Sequence, residues 1–580
     1  MKLLLLHSSH LEYQAHKKAL DSAEDTDKEK HRTEECLVAF NALDEGDEKN
    51  LESVATQAAE EIKDVAEQVN VENIVIYPWV HLTSTPGKPD KAEKIQAMME
   101  DKLKDEYDVT KSPFGWYKEF EIHVKGHPLS ELSREISPEG EEEEVEVNEL
   151  SEEERQRLVK KMSKINMSTK EPPGGKKSHI ELGRDLDLYI SNQIVGHGLP
   201  LFTPKGATIR REIKRFIEDE EIRRGYEHTD TPEMAKSDLY KLSGHWQHYR
   251  DDMFTMEIGD EDYALRPMTC PFHFALYKRK PRSYKDLPKR YAEVSTLFRN
   301  EKSGELRGLT RVRQFELADA HIICREDQLE KEFQGVLDLI EHVMDKLGIE
   351  DIWYRFSKWD PKGKGNKYID DPKAWEKSER IMKKILKDSN LDHVEEKGEA
   401  AFYGPKLDLQ YKDVYGKEDT LITVQIDFAL PDRFDLTYKN EDDEEERPIV
   451  IHRSSVGCIG RTIANLLEKT QGNLPVWLSP VQMRVINHTD RNKEACKEFV
   501  EKMKEEVPDI RIDTDLESSR ISSKIKKVEM EKIPYAVVIG DKEEENDTLA
   551  IRRRWEDNVD YGVNPEDFIQ EIKEKINKRK

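Results

Sequence analysis

Phe298-Arg-Asn-Glu-Lys-Ser-Gly-Glu-Leu-Arg-Gly-Leu-Thr-Arg-Val-Arg-Gln-Phe-Glu-Leu-Ala-Asp-Ala-His-Ile-Ile-Cys324 is too charged for a core segment and too apolar in alternate places for a linker. It brings Arg299, Arg307, Arg311 and Arg313 close to Glu301, Glu316, Asp319 and His321. Ser303-Gly304 and Gly308 provide a turn between two candidate strands. Such a mixture makes a poor core and a good anion site. Arginine forks match phosphate and carboxylate oxygens in a planar geometry that lysine cannot copy, so several in one hairpin point to a bound polyphosphate. A solvated charged hairpin is the plainer reading, but it gives no reason for the pattern downstream.

Phe298-Arg-Asn-Glu301, Gly308 to Phe315 and Asp319-Ala-His321 resemble motif 2 of the class II aminoacyl-tRNA synthetases, and within that class the threonyl-tRNA synthetases. Thr231-Pro232 resembles motif 1 and Gly457-Cys-Ile-Gly-Arg461 motif 3, so three ordered motifs carry the likeness. It extends over nearly the whole chain, with an N-terminal part of the archaeal type. The resemblance implies a chain of α/β and α+β domains. These are an editing domain over 1–138 related to D-aminoacyl-tRNA deacylase, an acidic linker over 139–178, an antiparallel-sheet catalytic core over 179–473 and an α/β anticodon-binding domain over 474–580. The implied activity is ATP-dependent activation of L-threonine, its transfer to tRNA(Thr), and hydrolysis of mischarged seryl-tRNA(Thr).

The 580 residues exceed one core and suggest about three to four domains. No run approaches the roughly 20 apolar residues of a membrane helix, and Leu3–Leu6 is too short for a signal-peptide core, so a cytoplasmic protein without a membrane partner is expected. Cysteines 36, 270, 324, 458 and 496 are odd in number and unclustered, which fits a reducing compartment. A formal charge of −27 has the wrong sign for contacts with RNA phosphates. Distribution resolves part of this: acid gathers in runs such as Glu141–Glu144 and Glu441–Glu446, whereas Lys524–Lys527 and Arg552–Arg554 are basic patches.

In the N-terminal part, Leu3–Leu6, Cys36–Leu43 and Asn73–Tyr77 read as strands and Leu51–Val69 as a helix. Tyr77–Leu82, Pro113–Phe120 and Gly126–Leu132 resemble the archaeal editing domain, and matching residue by residue carries its site onto His81, Lys118 and Glu131. Lys118 stands among Phe114, Trp116, Tyr117 and Phe120, where an ammonium can be partly desolvated. Each of the three, taken alone, reads as ordinary surface or core. The linker composition changes to Glu, Lys, Pro and Gly, with a charged helix at Glu152–Met162. Ala207–Arg224 is a candidate helix leading to Thr231-Pro232, which in the family forms much of a homodimer interface.

A lone cysteine is usually a small core residue. Cys270, His321 and His452 each match a zinc ligand of threonyl-tRNA synthetases, a set too scattered in sequence for spacing to reveal. A rival local pair is His321 with Cys324. One thiolate and two imidazoles leave zinc open positions. Threonine offers an amino and a hydroxyl group for them, which valine cannot match; serine offers both and lacks only a methyl, worth about 1–3 kcal/mol. A second, hydrolytic site is therefore needed.

By the same resemblance Arg299 holds the α-phosphate and the amino-acid carboxylate, Arg311 and Arg461 the γ-phosphate, and Glu301 and Phe315 the adenine. Asp319, Tyr403 and Gln425 surround the threonine, and magnesium accompanies ATP. Beyond Pro480 the pattern alternates strands and helices from Met483 to Ile539, and Glu543, Arg552, Arg553 and Arg554 match segments that read anticodon bases. Other readings are an RNA-binding regulator of synthetase shape, which would have lost an ATP arginine or a metal ligand, and a dedicated deacylase, which would have a ruined catalytic unit. Prolyl or seryl specificity is disfavoured by the cysteine and two histidines.

Overall fold

The structure, a computed structural model, describes all residues except 21, 84, 137–149, 166, 168, 260, 362–367, 390, 580 and the side chain of 248. The acidic run at 141–144 and the first part of the expected linker lie outside the described residues. Two compact units result, Met1–Glu149 and Leu150–Lys580.

In the first unit Leu3 and Leu5 alternate on one face and, past an irregularity at Ser8–His10, Leu11 and Tyr13 are buried on the other, so β1 (Lys2–Lys18) runs well past the apolar run that marks it in the sequence. It pairs antiparallel with β2 (Lys30–Ala42). Then α1 (Leu51–Val69), β3 (Asn73–Pro78), α2 (Pro89–Leu103) and β4 (Asp108–Lys111) add two parallel strands through helical crossovers. β5 (Trp116–Val124) and β6 (Glu131–Glu135) return antiparallel to the two halves of β1. Val54, Ile62 and Met99 of the helices cover Leu5, Leu37 and Ile74 on one face. On the other face Tyr13, Phe40 and Tyr77 gather with Trp79 and Phe120 into an aromatic cluster.

The second unit opens with α3 (Glu152–Met162), started by a Ser151–Glu154 capping box. Asn192 donates to the Met162 carbonyl at 2.5 Å and Thr169 meets Tyr415 at 3.0 Å. The segment from 150 to 178 is thus fastened to the core, where its composition suggests a free linker. There follow α4 (His179–Asp185), α5 (Pro204–Arg223), β7 (Glu227–His228), α6 (Cys270–Lys278), β8 (Lys289–Phe298), β9 (Gln314–Cys324) and α7 (Leu329–Leu347). Next come β10 (Ile352–Lys358), β11 (His393–Lys397), β12 (Lys406–Lys412), β13 (Glu418–Asp427), β14 (Ile449–Cys458) and α8 (Ile459–Thr470).

These strands form one sheet in the order β11-β10-β12-β13-β14-β9-β8-β7, antiparallel except at its two outermost pairs. Phe216 of α5, Phe333 of α7 and Ile463 of α8 bury one face against Ile322, Cys324 and Ile451. The other face looks into a cleft.

A further sheet in the same unit is built from β15 (Met483–Asn487), β16 (Ile512–Asp515), β17 (Tyr535–Ile539), β18 (Leu549–Arg553) and β19 (Val559–Val563). Its order is β16-β15-β17-β18-β19, with parallel pairing first and antiparallel pairing last.

Candidate active site

The two-residue period of β9 sorts its side chains. Phe315, Leu317, Asp319 and His321 face the cleft, while Glu316, Ala318, Ala320, Ile322 and Cys324 face the helices. Glu316 is accordingly spent on Arg210 and Lys214 of α5 and is absent from the cleft. Cys324 lies on the wrong face to join His321, so the local His321–Cys324 pair cannot form a site. Register supplies the partner instead: His321 stands opposite His452 of β14, which stands opposite Gln425 of β13. Cys270, on the first turn of α6, completes a buried trio whose ligand atoms lie within 4.8 Å of one another.

The surroundings of the trio suit a metal. His321 Nδ1 is 2.7 Å from His273 Nδ1, and His452 Nε2 is 2.8 Å from Asp427 Oδ2. One nitrogen of each ring is thereby held and the other left for a ligand, the arrangement in which outer partners orient metal-binding imidazoles. Burial pushes the Cys270 thiol well up, with Asp319 and Asp427 adding to it, a balance that a divalent cation would reverse. Beside the trio, burial also raises the Asp319 carboxyl. The Tyr403 hydroxyl donates to Gln425, and its ring lies 5.1 Å from that of His452.

The same cleft, about 800 Å³, is rimmed by arginines. Arg299, just past β8, is open to the cleft and lies over the Phe315 ring at 5.2 Å. Protein packed around it, and then Arg461, push its guanidinium down from the usual value. Arg461, on the first turn of α8, donates to the Thr420 carbonyl at 2.6 Å and to that of Thr310 at 3.2 Å. Arg311 is held by Glu301 at 2.7 Å and Glu305 at 3.0 Å. Arg307 and Arg313 brace the turn, on Asp413 at 2.7 Å and the Glu301 carbonyl at 3.1 Å. Two of the four arginines quoted first thus face the cleft and two hold the loop that carries them.

Sequence reasoning missed Lys406, which lines the cleft and pairs with Asp408 at 3.3 Å, and His273. Cys-Pro-Phe-His put His273 three residues after Cys270 on one helix face, a signal that was available.

In the first unit Lys118 of β5 donates to the Pro113 carbonyl at 2.6 Å and to Ser112 at 3.1 Å, and lies over the Tyr77 ring at 4.4 Å. Desolvation alone pushes its ammonium down to about 7. His81 follows β3 and stacks edge-on with Trp79, whose neighbours are Tyr77 and Phe120, so it belongs to the same aromatic surround. Glu131 begins β6 opposite Leu6, exposed, and makes no hydrogen bond or ion pair with either of them. The structure groups two of the three and leaves Glu131 apart.

Three family models match the chain. "Archaea-specific editing domain of threonyl-tRNA synthetase" covers residues 1–136, "tRNA synthetase class II core domain (G, H, P, S and T)" 254–470, and "Anticodon binding domain" 476–575. A solved structure, the RNA binding domain of threonyl-tRNA synthetase from Cryptosporidium parvum, is 31% identical with a TM-score of 0.64, covering 69% of this chain and 98% of its own. The chain belongs to the threonyl-tRNA synthetase family. A putative threonyl-tRNA synthetase, ThrRS-1 of Aeropyrum pernix, is 28% identical with a TM-score of 0.61, over 70% of this chain and 97% of that one. The threonine–tRNA ligase of Clostridium perfringens is 52% identical over 404 residues, 68% of this chain. This chain spans 62% of the length of that bacterial relative.

The C-terminal sheet of this threonyl-tRNA synthetase family member treats its basic residues unequally. Arg553 is enclosed by Asp560 and Glu571, the latter at 2.7 Å, and Arg552 pairs with Glu529 at 2.8 Å. Arg554 donates to the carbonyls of Lys532 and Leu474, at 2.5 and 2.6 Å, and burial lowers it to about 10. Lys524, 1% exposed, is consumed by Asn487 and the Asp515 carbonyl. Glu543 caps a short helix by accepting from Gly540 N at 3.1 Å. Arg552 to Arg554 therefore form no single anion-facing patch, and Arg554 is tied to two backbone carbonyls.

Proposed function

We propose that the chain is a threonine–tRNA ligase that activates L-threonine with ATP, transfers it to tRNA(Thr), and removes serine from mischarged seryl-tRNA(Thr) in its N-terminal unit. The observation that carries this reading is the row His321–His452–Gln425 across three strands, with Cys270 beneath it and Arg299 and Arg461 in the same cleft. An amino-acid end and a polyphosphate end share one pocket, as adenylate formation requires.

Cys270, His321 and His452 would hold zinc, which would supply Lewis-acid recognition of the amino and hydroxyl groups that threonine has together and valine does not. Asp319, Tyr403 and Gln425 border the same space and are placed to accept from, and donate to, the bound amino acid. Arg299 offers its fork to the carboxylate and α-phosphate, holding nucleophile and electrophile in line while neutralising the charge that develops. Arg311 and Arg461 serve the γ-phosphate of magnesium-bound ATP, with Glu301 and Phe315 at the adenine. Arg311 has first to leave Glu301, so nucleotide binding exchanges one carboxylate partner for a phosphate. Among the described residues no serine-histidine-acid set stands beside Lys118 and His81, and the nearby hydroxyl of Ser112 accepts from Lys118, which suits hydrolysis that uses the hydroxyls of the tRNA's terminal ribose. Glu543 and Arg552 are the remaining candidates for anticodon contact. A homodimer through the motif 1 region and a cytoplasmic location complete the proposal; no helix among the described residues is long and apolar enough to cross a membrane.

Threonine-dependent exchange of pyrophosphate into ATP tests the ligase reading. Exchange with threonine and serine but not valine is the expected result, and exchange with none of them sinks it. A synthetase-shaped RNA-binding regulator then takes its place.

A further inference from the structure

His179 opens α4 and is 1% exposed, far in sequence from all three motifs. Its Nδ1 lies 2.6 Å from Glu468 Oε1 on α8, and the same oxygen accepts the His179 N–H at 3.1 Å. The other Glu468 oxygen accepts from Val414 N at 3.1 Å, beside the Asp413 that anchors Arg307. With the ring proton on Nδ1 toward the carboxylate, Nε2 becomes an acceptor, and Leu309 N–H points to it at 3.3 Å. The chain passes so near that a Cβ on Gly308, at φ +47°, would come 2.2 Å from that nitrogen. One residue past Leu309 the Thr310 carbonyl receives Arg461, and the next residue is Arg311.

One imidazole therefore joins the turn that carries Arg311 to the helix that carries Arg461. We propose that His179, backed by Glu468, is a positioning residue for the nucleotide: it sets the separation of Arg311 and Arg461 so that both reach the terminal phosphate of one ATP. A histidine that merely filled the core would not need an acceptor nitrogen aimed at Leu309. The inference rests on the proposed use of ATP, and its test is built to separate the two.

Two variants divide the roles of the ring. In His179→Gln the amide oxygen reaches the place of Nε2 and can still accept from Leu309. In His179→Asn the shorter amide can donate to Glu468 but stops short of the turn. ATP affinity of the full chain is measured by calorimetry, alongside KM for ATP and for threonine in pyrophosphate exchange and the thermal midpoint. Losing one ordering hydrogen bond corresponds to about tenfold. His179→Asn should weaken ATP by roughly that factor in Kd and KM, leaving KM for threonine and the midpoint like those of His179→Gln, which stays near wild type. Unchanged ATP affinity in His179→Asn overturns the proposal, as does equal loss in both variants with a lowered midpoint, the mark of a core residue. If the wild type binds ATP but supports no threonine-dependent exchange, the ligase reading fails while the two ATP affinities still decide the role of His179.

Discussion

At Gly457 the chain turns with φ +76°, and a Cβ there would meet the Leu421 carbonyl oxygen at 2.0 Å. Both the left-handed backbone and the neighbouring strand forbid a side chain, because a carbonyl in a sheet cannot swing aside as a lysine tip can. Gly457→Ala is expected to cost at least about 2 kcal/mol in a urea titration, and a change below 0.5 kcal/mol would show the strand pair to be pliant. That glycine was legible in Gly-Cys-Ile-Gly-Arg. The Cys270–His321–His452 trio was not legible from spacing, since His321 lies 51 positions after Cys270 and His452 131 positions after His321; strand register joins the histidines and a helix start brings in the cysteine. Arg307 could not be distinguished from Arg311 either, because its partner Asp413 lies a hundred residues on.

For single elements, alternation was the clearest signal and its partners the least. α1, α3, β15 and β17 follow their sequence periodicity closely, yet nothing in Ile449–Cys458 says that His452 joins the trio in the cleft while the guanidinium of Arg453, beside it, is spent on α5. Arg453 is fully buried, donates to Glu221 of α5 at 2.6 Å and lies over the Tyr226 ring at 4.1 Å. Arg453→Met leaves the buried Glu221 carboxylate with Ser455 at 2.8 Å and His228 at 3.0 Å but without its guanidinium, and should destabilise by about 3 kcal/mol, whereas adding Glu221→Leu should restore part of the loss. Equal destabilisation in the single and double variants would show that Glu221 finds another partner. In β5, Lys118 has its ammonium pushed down to about 7 from the ordinary 10.5 by desolvation. Between those values the unfolded chain binds a proton that the folded one does not, so the stability of the first unit rises with pH across the window, and the cost of the buried charge is felt in full below it. Lys118→Met removes that cost. Hydrogen exchange of the Trp116–Val124 amides, corrected for intrinsic pH dependence, should slow in the variant more at pH 6 than at pH 10; equal slowing at both would show the amine to be solvated.

Over the whole molecule, the alternation of strand and helix in the first unit and at the C-terminal end was legible as punctuation and period along the chain, whereas the antiparallel sheet between them was expected only from the resemblance to class II synthetases. Charge was less legible. Residues that look like basic patches in sequence are spent within the fold, Lys524 buried on Asn487 and the Asp515 carbonyl and Arg553 paired with Asp560 and Glu571, so the net charge of −27 is not offset by a ready-made cationic surface at those two residues. The proposed division of labour is the central claim: a metal held by Cys270, His321 and His452 would exclude valine, and the aromatic surround of Lys118 would remove serine. Aminoacylation of tRNA with threonine and with serine, in the presence of ATP, magnesium and zinc, tests it directly in wild type, Lys118→Ala and Cys270→Ala. The account predicts threonyl-tRNA alone from wild type, additional seryl-tRNA from Lys118→Ala, and neither product from Cys270→Ala. A wild-type chain that charges no tRNA with threonine, or a Lys118→Ala chain that still accumulates no seryl-tRNA while charging threonine normally, would contradict it.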